Sequence, residues 1–416
     1  MTKSRFIIKS VKWLIGEDMI KQNLCAKYNE LQKELHFTNF AMYACCDGIV
    51  YYTYDGKSAG EKPIGELQTS GLKNKIVVKQ FSKARANVIV FFYSQNIEKC
   101  AKLGGIPTVL DDYTEMFGKK LKVVKKDDKK VLRALSKAKS VIVDGSYCVA
   151  LARSIDEAGT MARIIDKNAF VIGKCEGEYV KINKIVAKGM NIGYTRYYSK
   201  GNQDRVWERE KTQPINTLKD DNIEVDDIKN SDRRIEALTT AKKVYQDNFT
   251  QGTWGNVSVR IDDKTLYCTP KAIGYGLLTP DDIVTMDFRT VEQVAGSARA
   301  TSEKGIHCRI MNEKKDAYVV VHAHPTYSSV FCAQNRVLEV SSEGRALLGD
   351  KVYCSKHAIP MTKRLSNNTV NAMNKKAVFM GNHGVAVYGE SIDDVFNVLN
   401  TLEKEAKRAL SHKKRQ

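Results

Sequence analysis

In the run Val319-Val320-Val321-His322-Ala323-His324-Pro325, three β-branched residues lead into two histidines two positions apart. β-Branched residues favour a strand, and side chains two apart on a strand leave the same face. A lone histidine in such a place is more often a satisfied polar residue, but His322 and His324 project together as a pair of imidazole ligands. A third histidine, His383, sits in a Gly-bounded turn, Asn382-His383-Gly384, just before the apolar run 385–388. Glu303 follows Thr301 and Ser302, either of which could cap a helix that begins there. Three imidazoles with a carboxylate nearby make a zinc-type site that leaves coordination room for a substrate. His307, one turn after Glu303, is read as a structural neighbour of that site. His357 reads as a loop residue, and His36 and His412 as bland.

These residues need elements to position them. Helical spacing of Ile235, Leu238, Ala241 and Val244 predicts a helix over 233–248, capped by Ser231 or Asp232. The charge-rich stretch 201–234 reads as a linker and the approach to that helix. A faint repeat relates the two halves: residues 86–96 resemble 317–327, and residues 139–158 resemble 376–395. Each copy reads as strand, turn, second strand and capped helix. In this alignment Phe91 and Tyr93 stand where His322 and His324 stand, and Ser146 stands at His383. The first copy therefore has no metal ligands at those positions. The expected domains are 1–200, a linker at 201–228, and 229–416.

Composition narrows the classes. The chain has 416 residues, 43% hydrophobic and 28% charged, with 27 Gly and 7 Pro, a globular balance. No apolar run reaches the roughly 18 residues a membrane span requires, and the apolar stretch near the start is broken by Lys9, Ser10 and Lys12, which argues against a secretory signal. The net charge of +19 favours phosphorylated or carboxylated ligands, yet the lysines are scattered and no nucleic-acid motif accompanies them. Nucleic acid is not the expected partner. Ten cysteines without a Cys-x-x-Cys pair suit reduced thiols in a cytoplasmic protein.

Five ordered segments carry a resemblance: 251–260 (QGTWGNVSVR), 267–287, Thr301-Ser302-Glu303, His322-Ala323-His324 and Asn382-His383-Gly384. Together they resemble the class II aldolase/adducin family, the group that contains L-fuculose-phosphate aldolase, over about 230–410. The resemblance extends only weakly, through the repeat, over about 1–200. It implies an α/β fold of three αβα layers with a mixed, mostly antiparallel sheet, here in tandem. It implies that His322, His324 and His383 ligate zinc or another divalent metal, and that Glu303 alternates between metal ligand and general base. Gly255, Asn256, Thr301 and Ser302 would line a phosphate pocket, where glycine lets backbone N–H groups approach an anion. The implied reaction is metal-dependent aldehyde-lyase chemistry: cleavage of a keto-sugar phosphate to dihydroxyacetone phosphate and an aldehyde through a metal-stabilised enediolate. The alternatives are a sugar-phosphate 4-epimerase or dehydratase of the same superfamily, and a non-catalytic adducin-like scaffold. A homo-oligomer is expected, because family members form rings of four.

Two departures stand out. The family pattern Thr-Pro-Ser-Gly is here Thr269-Pro270-Lys271-Ala272, so Lys271 brings a point charge to the substrate's anionic group. The tyrosine that aldolases use is expected near 343, where this chain has Glu343-Gly344-Arg345. The nearest downstream tyrosine, Tyr353, is not assigned that role.

Overall fold

The structure is a computed structural model, and it describes residues 2–215, 223–225, 232–271 and 273–412. Ser231, Ala272 and much of the expected linker lie outside the described residues. Two compact units are present. One comprises Met1–Pro107, Lys120–Ala169 and Gly193–Thr217; the other comprises Thr108–Lys119, Phe170–Ile192 and Leu218–Gln416. Neither is a contiguous block, in contrast to the expected division at 200 and 229. Two short segments of the first half belong to the second unit. The start of the expected linker is also helical, from Lys200 to Glu210. Trp207 is buried there, and Glu210 accepts hydrogen bonds from the Ile155 and Asp156 amides at 2.7 and 2.8 Å. The free amides at a helix start need such an acceptor, and this need overrides the polar composition of the segment.

The first unit is built on seven strands: β1 (Thr38–Cys46), β2 (Ile49–Thr53), β3 (Gly60–Pro63), β4 (Val88–Tyr93), β5 (Val123–Val124), β6 (Ser140–Val143) and β7 (Tyr147–Ala152). They lie in the order β3-β2-β1-β4-β7-β6-β5, and only β5 and β6 pair in parallel. The second unit carries β8 (Asn256–Arg260), β9 (Thr265–Cys268), β10 (Val284–Asp287), β11 (Glu292–Ala295), β12 (Val319–Ala323), β13 (Leu338–Glu339), β14 (Lys351–Val352), β15 (Cys354–Ser355), β16 (Ala377–Met380) and β17 (Val385–Gly389). Its main sheet runs β11-β10-β9-β8-β12-β17-β16-β15, again with one parallel pair, β15 with β16.

The two sheets share their order and register. Val88 faces Ala152 on one side and Ala44 on the other; Val319 faces Gly389 and Val259 in the same way. The fold is therefore a mixed, mostly antiparallel α/β architecture in tandem. Strand alternation sends Val320 to the core shared with Ile306, Ile310 and Leu365, residues of the helices Lys304–Glu313 and Lys363–Ala372. Val319 and Val321 face the opposite layer, which holds the helices Arg233–Gln246 and Ile392–His412. Asp232 caps the first of these, accepting from the Arg234 amide.

In the first unit Phe91 takes the register position of His322, opposite Ala41 and Val149. It is fully buried edge-on to Tyr43 and Tyr147, an arrangement whose apolar burial contributes roughly 1.5–3 kcal/mol per side chain. Among the described residues, no helix is long and apolar enough to cross a membrane.

Candidate metal centre

His322 lies near the end of β12 and His324 just beyond it, on one face, as their spacing predicts. His383 arrives from the turn between β16 and β17, because β12 and β17 pair with His322 opposite Ala386. The ligand atoms of the three imidazoles lie within 4.8 Å of one another. His322 Nε2 is 3.0 Å from His324 Nε2 and 3.2 Å from His383 Nε2. All three rings are buried. Gly384 makes this packing possible: a Cβ there would meet the Ala323 carbonyl at 2.5 Å and crowd the Cε1 atoms of both His322 and His324.

The outward nitrogens decide what the inward ones can do. His322 Nδ1 donates to the Val385 carbonyl at 2.8 Å, and His383 Nδ1 donates to Asp111 Oδ2 at 2.6 Å. Each hydrogen bond places the ring proton on Nδ1, so in the neutral tautomers both Nε2 lone pairs point at the same small space. Two facing lone pairs repel unless a cation or a proton lies between them. This donor set, backed by a carboxylate, fits a divalent metal of the zinc type.

Glu303 closes the space from the start of the helix Lys304–Glu313. Its Oε2 is 2.9 Å from His322 Nε2 and its Oε1 is 2.9 Å from His383 Nε2. Glu303 itself takes the N-cap position, with no side-chain cap, whereas Thr301 or Ser302 was the expected cap. Its carboxylate is turned to the imidazoles instead. Burial alone would raise the Glu303 carboxyl, but His322 and His383 hold it well below the ordinary range. Burial disfavours charge on His383, and the Glu303 and Asp111 carboxylates outweigh it, lifting this imidazole well above its usual value.

His307 supports the site from behind. Its Nδ1 accepts from Ser258 Oγ at 2.7 Å, and its Nε2 donates to Asn256 Oδ1 at 2.5 Å. The Asn256 amide in turn reaches Glu303 Oε2 at 3.5 Å. Burial drives the His307 pKa down to about 3, which keeps the ring neutral and this polarity in place.

The residues expected to bind phosphate are brought together by backbone pairing. Thr301 donates from its amide to the Thr269 carbonyl, Pro270 bridges Ala300, and the Thr269 hydroxyl accepts from the Val257 amide next to Asn256. Lys271 donates its amide to the Arg299 carbonyl at 2.7 Å. Ser302 lines a cavity of about 450 Å³ together with Glu303 and Lys363. Gly255 has φ of 149°, and a Cβ there would lie 2.9 Å from the His322 carbonyl, so only glycine admits this approach.

Sequence reasoning missed the acidic wall. The helix Asp111–Phe117 comes from the first half of the chain but belongs to the second unit. Its docking is built on the turn that carries His383: Asp111 donates its amide to the Asn382 carbonyl, and Asn382 Nδ2 donates to the Val109 and Val180 carbonyls. Asp111 is fully buried and also accepts from His357 Nε2 at 3.1 Å, so His357, in a loop as expected, is tied to this aspartate. Asp112 Oδ2 lies 3.6 Å from His324 Nδ1. Burial, then the Asp111 carboxylate, push the nearby Glu115 carboxyl well up. The one signal in the sequence was the three carboxylates Asp111, Asp112 and Glu115 within a segment, 106–117, that carries no basic residue.

Comparison with known proteins agrees with this architecture. The family described as Class II Aldolase and Adducin N-terminal domain matches residues 236–410. The chain belongs to the class II aldolase/adducin family. This aldolase domain is similar to the L-fuculose phosphate aldolase of Methanocaldococcus jannaschii, 29% identical over 174 residues, which are 42% of this chain and 93% of that protein. It is also similar to the 3-oxo-tetronate 4-phosphate decarboxylase of Haemophilus influenzae, 25% identical over 40% of this chain and 81% of that one. A solved structure of L-fuculose 1-phosphate aldolase is 30% identical, with a TM-score of 0.43, and covers 44% of this chain and 87% of that chain.

Among the described residues, His322, His324 and His383 make the one His, Cys, Asp or Glu cluster with metal-ligand geometry. Where the aldolase domain has Thr301-Ser302-Glu303 before its helix, the first unit has Thr69-Ser70-Gly71 before the helix Leu72–Phe81. That triplet would have extended the repeat: the carboxylate position is a glycine.

Proposed function

We propose that the aldolase domain is a zinc-dependent aldehyde-lyase that cleaves a keto-sugar phosphate to dihydroxyacetone phosphate and an aldehyde. The observation that carries this reading is the pair of Nε2 lone pairs of His322 and His383, each fixed by an Nδ1 hydrogen bond and both facing Glu303. A divalent ion held by His322, His324 and His383 supplies Lewis acidity to the substrate's carbonyl and adjacent hydroxyl oxygens.

The chain's own residues do the rest. Gly255, Asn256, Lys271, Thr301 and Ser302 bind the phosphate through amides, hydroxyls and one ammonium. In cleavage the Glu303 carboxylate takes the hydroxyl proton of the departing carbon, the C–O bond there becomes C=O, and the C–C bond breaks. The electron pair stays on the carbon next to the carbonyl, and Glu303 delivers a proton to it. Held by Asn256 and shielded from water, Glu303 is placed for that transfer, a contribution of typically 10²–10⁴-fold. The same reading carries a homo-oligomeric, cytoplasmic enzyme, and light scattering checks the oligomer.

The test is metal analysis of the purified protein, followed by incubation of the zinc-loaded chain with a panel of keto-sugar phosphates and an assay for released triose phosphate. The expected result is about one zinc per chain and release from at least one substrate. Glu303→Gln should abolish release while the imidazoles keep the metal. A chain that binds no divalent ion would instead support the non-catalytic, adducin-like reading.

A further inference from the structure

In the first unit, a cavity of about 200 Å³ opens beside the ends of β4, β6 and β7, lined by Arg85, Lys137, Lys139, Arg153 and Glu157 among others. Its meaning emerges from the corresponding place in the second unit, where the backbone is the same bond for bond. Leu151 donates its amide to the Lys139 carbonyl at 2.8 Å, as Tyr388 does to Lys376 at 2.9 Å. Arg153 donates its amide to Glu157 at 2.7 Å, as Glu390 does to Asp394 at 2.8 Å. Asn87 donates to the Ala152 carbonyl as Tyr318 does to Gly389. The strand registers equate Arg85 with Asp316.

The side chains on these matched frames differ in sign. In the second unit Lys376 Nζ lies 2.7 Å from Glu390 and 2.7 Å from Asp394, and Asp316 accepts from the Tyr388 hydroxyl at 3.3 Å. The cation there is neutralised within the protein. In the first unit the positions of Glu390 and Asp316 are both arginine, and that of Tyr388 is leucine. Lys139 Nζ is buried, lies 3.9 Å from Glu157, and makes no hydrogen bond among the described residues. That distance is too long for a hydrogen bond. Arg85 Nη2 donates to the Ser136 carbonyl at 2.8 Å, and Arg153 Nη1 lies 3.9 Å from the exposed Asp204. Two carboxylates have been exchanged for two guanidiniums around an ammonium that keeps its place.

We infer that this cavity is a binding site for a small phosphate-bearing molecule, whose oxygens take the positions that the Glu390 and Asp316 carboxylates hold in the second unit. Guanidinium forks match phosphate oxygens in bidentate fashion, and a buried ammonium whose nearest carboxylate lies beyond hydrogen-bond reach favours a closer anion. The volume lies below the roughly 300–1,000 Å³ of pockets for drug-sized ligands, which limits the occupant to a small one. This site is independent of the proposed catalysis.

Calorimetric titration of the full chain with glycerol 3-phosphate at low ionic strength tests it, against Arg85→Asp/Arg153→Glu, which copies the second unit's residues onto the same frame. The double variant should bind one equivalent fewer than the wild type, or lose at least tenfold in affinity for one class of site. Lys139→Met should show the same loss, and it keeps the test intact should the double variant not fold. Equal stoichiometry and affinity in wild type and a folded variant overturn the proposal, as does a wild type that shows no binding at millimolar ligand.

Discussion

His383 donates a 2.6 Å hydrogen bond from Nδ1 to Asp111, a residue 272 positions away in the chain. The bond fixes which nitrogen of His383 faces His322 and Glu303, and it places a negative charge behind the imidazole. Such outer partners typically change metal affinity 10- to 100-fold. Asp111→Asn keeps the shape and the amide contact to Asn382 but loses the charge. Zinc affinity, read by competition with a chromophoric chelator, should fall by about that factor. A variant within twofold of wild type would mean that Asp111 is packing and nothing more.

Gly384 admits no side chain without movement of the Ala323 carbonyl, 2.5 Å from a built Cβ, or of the two histidine rings. Gly384→Ala should therefore destabilise the chain by about 1–3 kcal/mol through overpacking, and should weaken zinc binding as well. Denaturant melts paired with metal titration check both effects. Unaltered melting together with unaltered metal binding would show that the turn yields freely.

His307 gives the second unit an acid limit. Its pKa is about 3 in the fold against an ordinary 6.5, so the neutral ring is the folded form. An unfolded chain binds this proton as pH falls below about 6.5, while the folded chain resists until about 3. The stabilisation is thus complete above 6.5 and is lost on acidification through that window, at up to about 1.4 kcal/mol per pH unit. Stability measured between pH 6.5 and 4 should fall more steeply for wild type than for His307→Gln. Parallel curves would remove His307 from the acid response.

Glu210 sets the opposite limit in the first unit. Burial, then Asp156, raise its carboxyl to about 8 despite the amides of Ile155 and Asp156. Here the unfolded chain gives up the proton near 4.5 and the folded chain holds it, so the contribution is full below 4.5 and drains away as pH rises toward 8. Glu210→Gln should flatten the decline in stability between pH 5 and 8, again by up to about 1.4 kcal/mol per unit. Chemical denaturation at a series of pH values reads this slope, and identical slopes would sink the assignment.

How much of this was legible along the chain depends on range. The projection of His322 and His324 from one face follows from the two-residue period of a strand, a local property. The repeat was visible because equivalent strands bury equivalent apolar runs, and it predicted Phe91 in place of His322. The helix Lys200–Glu210 was not legible, because its reason is a carboxylate serving amides some 50 positions away. His357 looked like any loop histidine until Asp111 reached it.

Side-chain periodicity and the ordered motifs were enough to pick out the three histidines that cluster in the structure and the glutamate beside them, since each signal spans only a few neighbours. Antiparallel pairing of β12 with β17 decided that His383 meets His322, and the return of residues 108–119 decided which carboxylates stand behind the imidazoles. Those choices rest on the pairing of backbone amides and the burial of apolar faces between segments 61 to 272 residues apart. No local pattern encodes such long-range contacts.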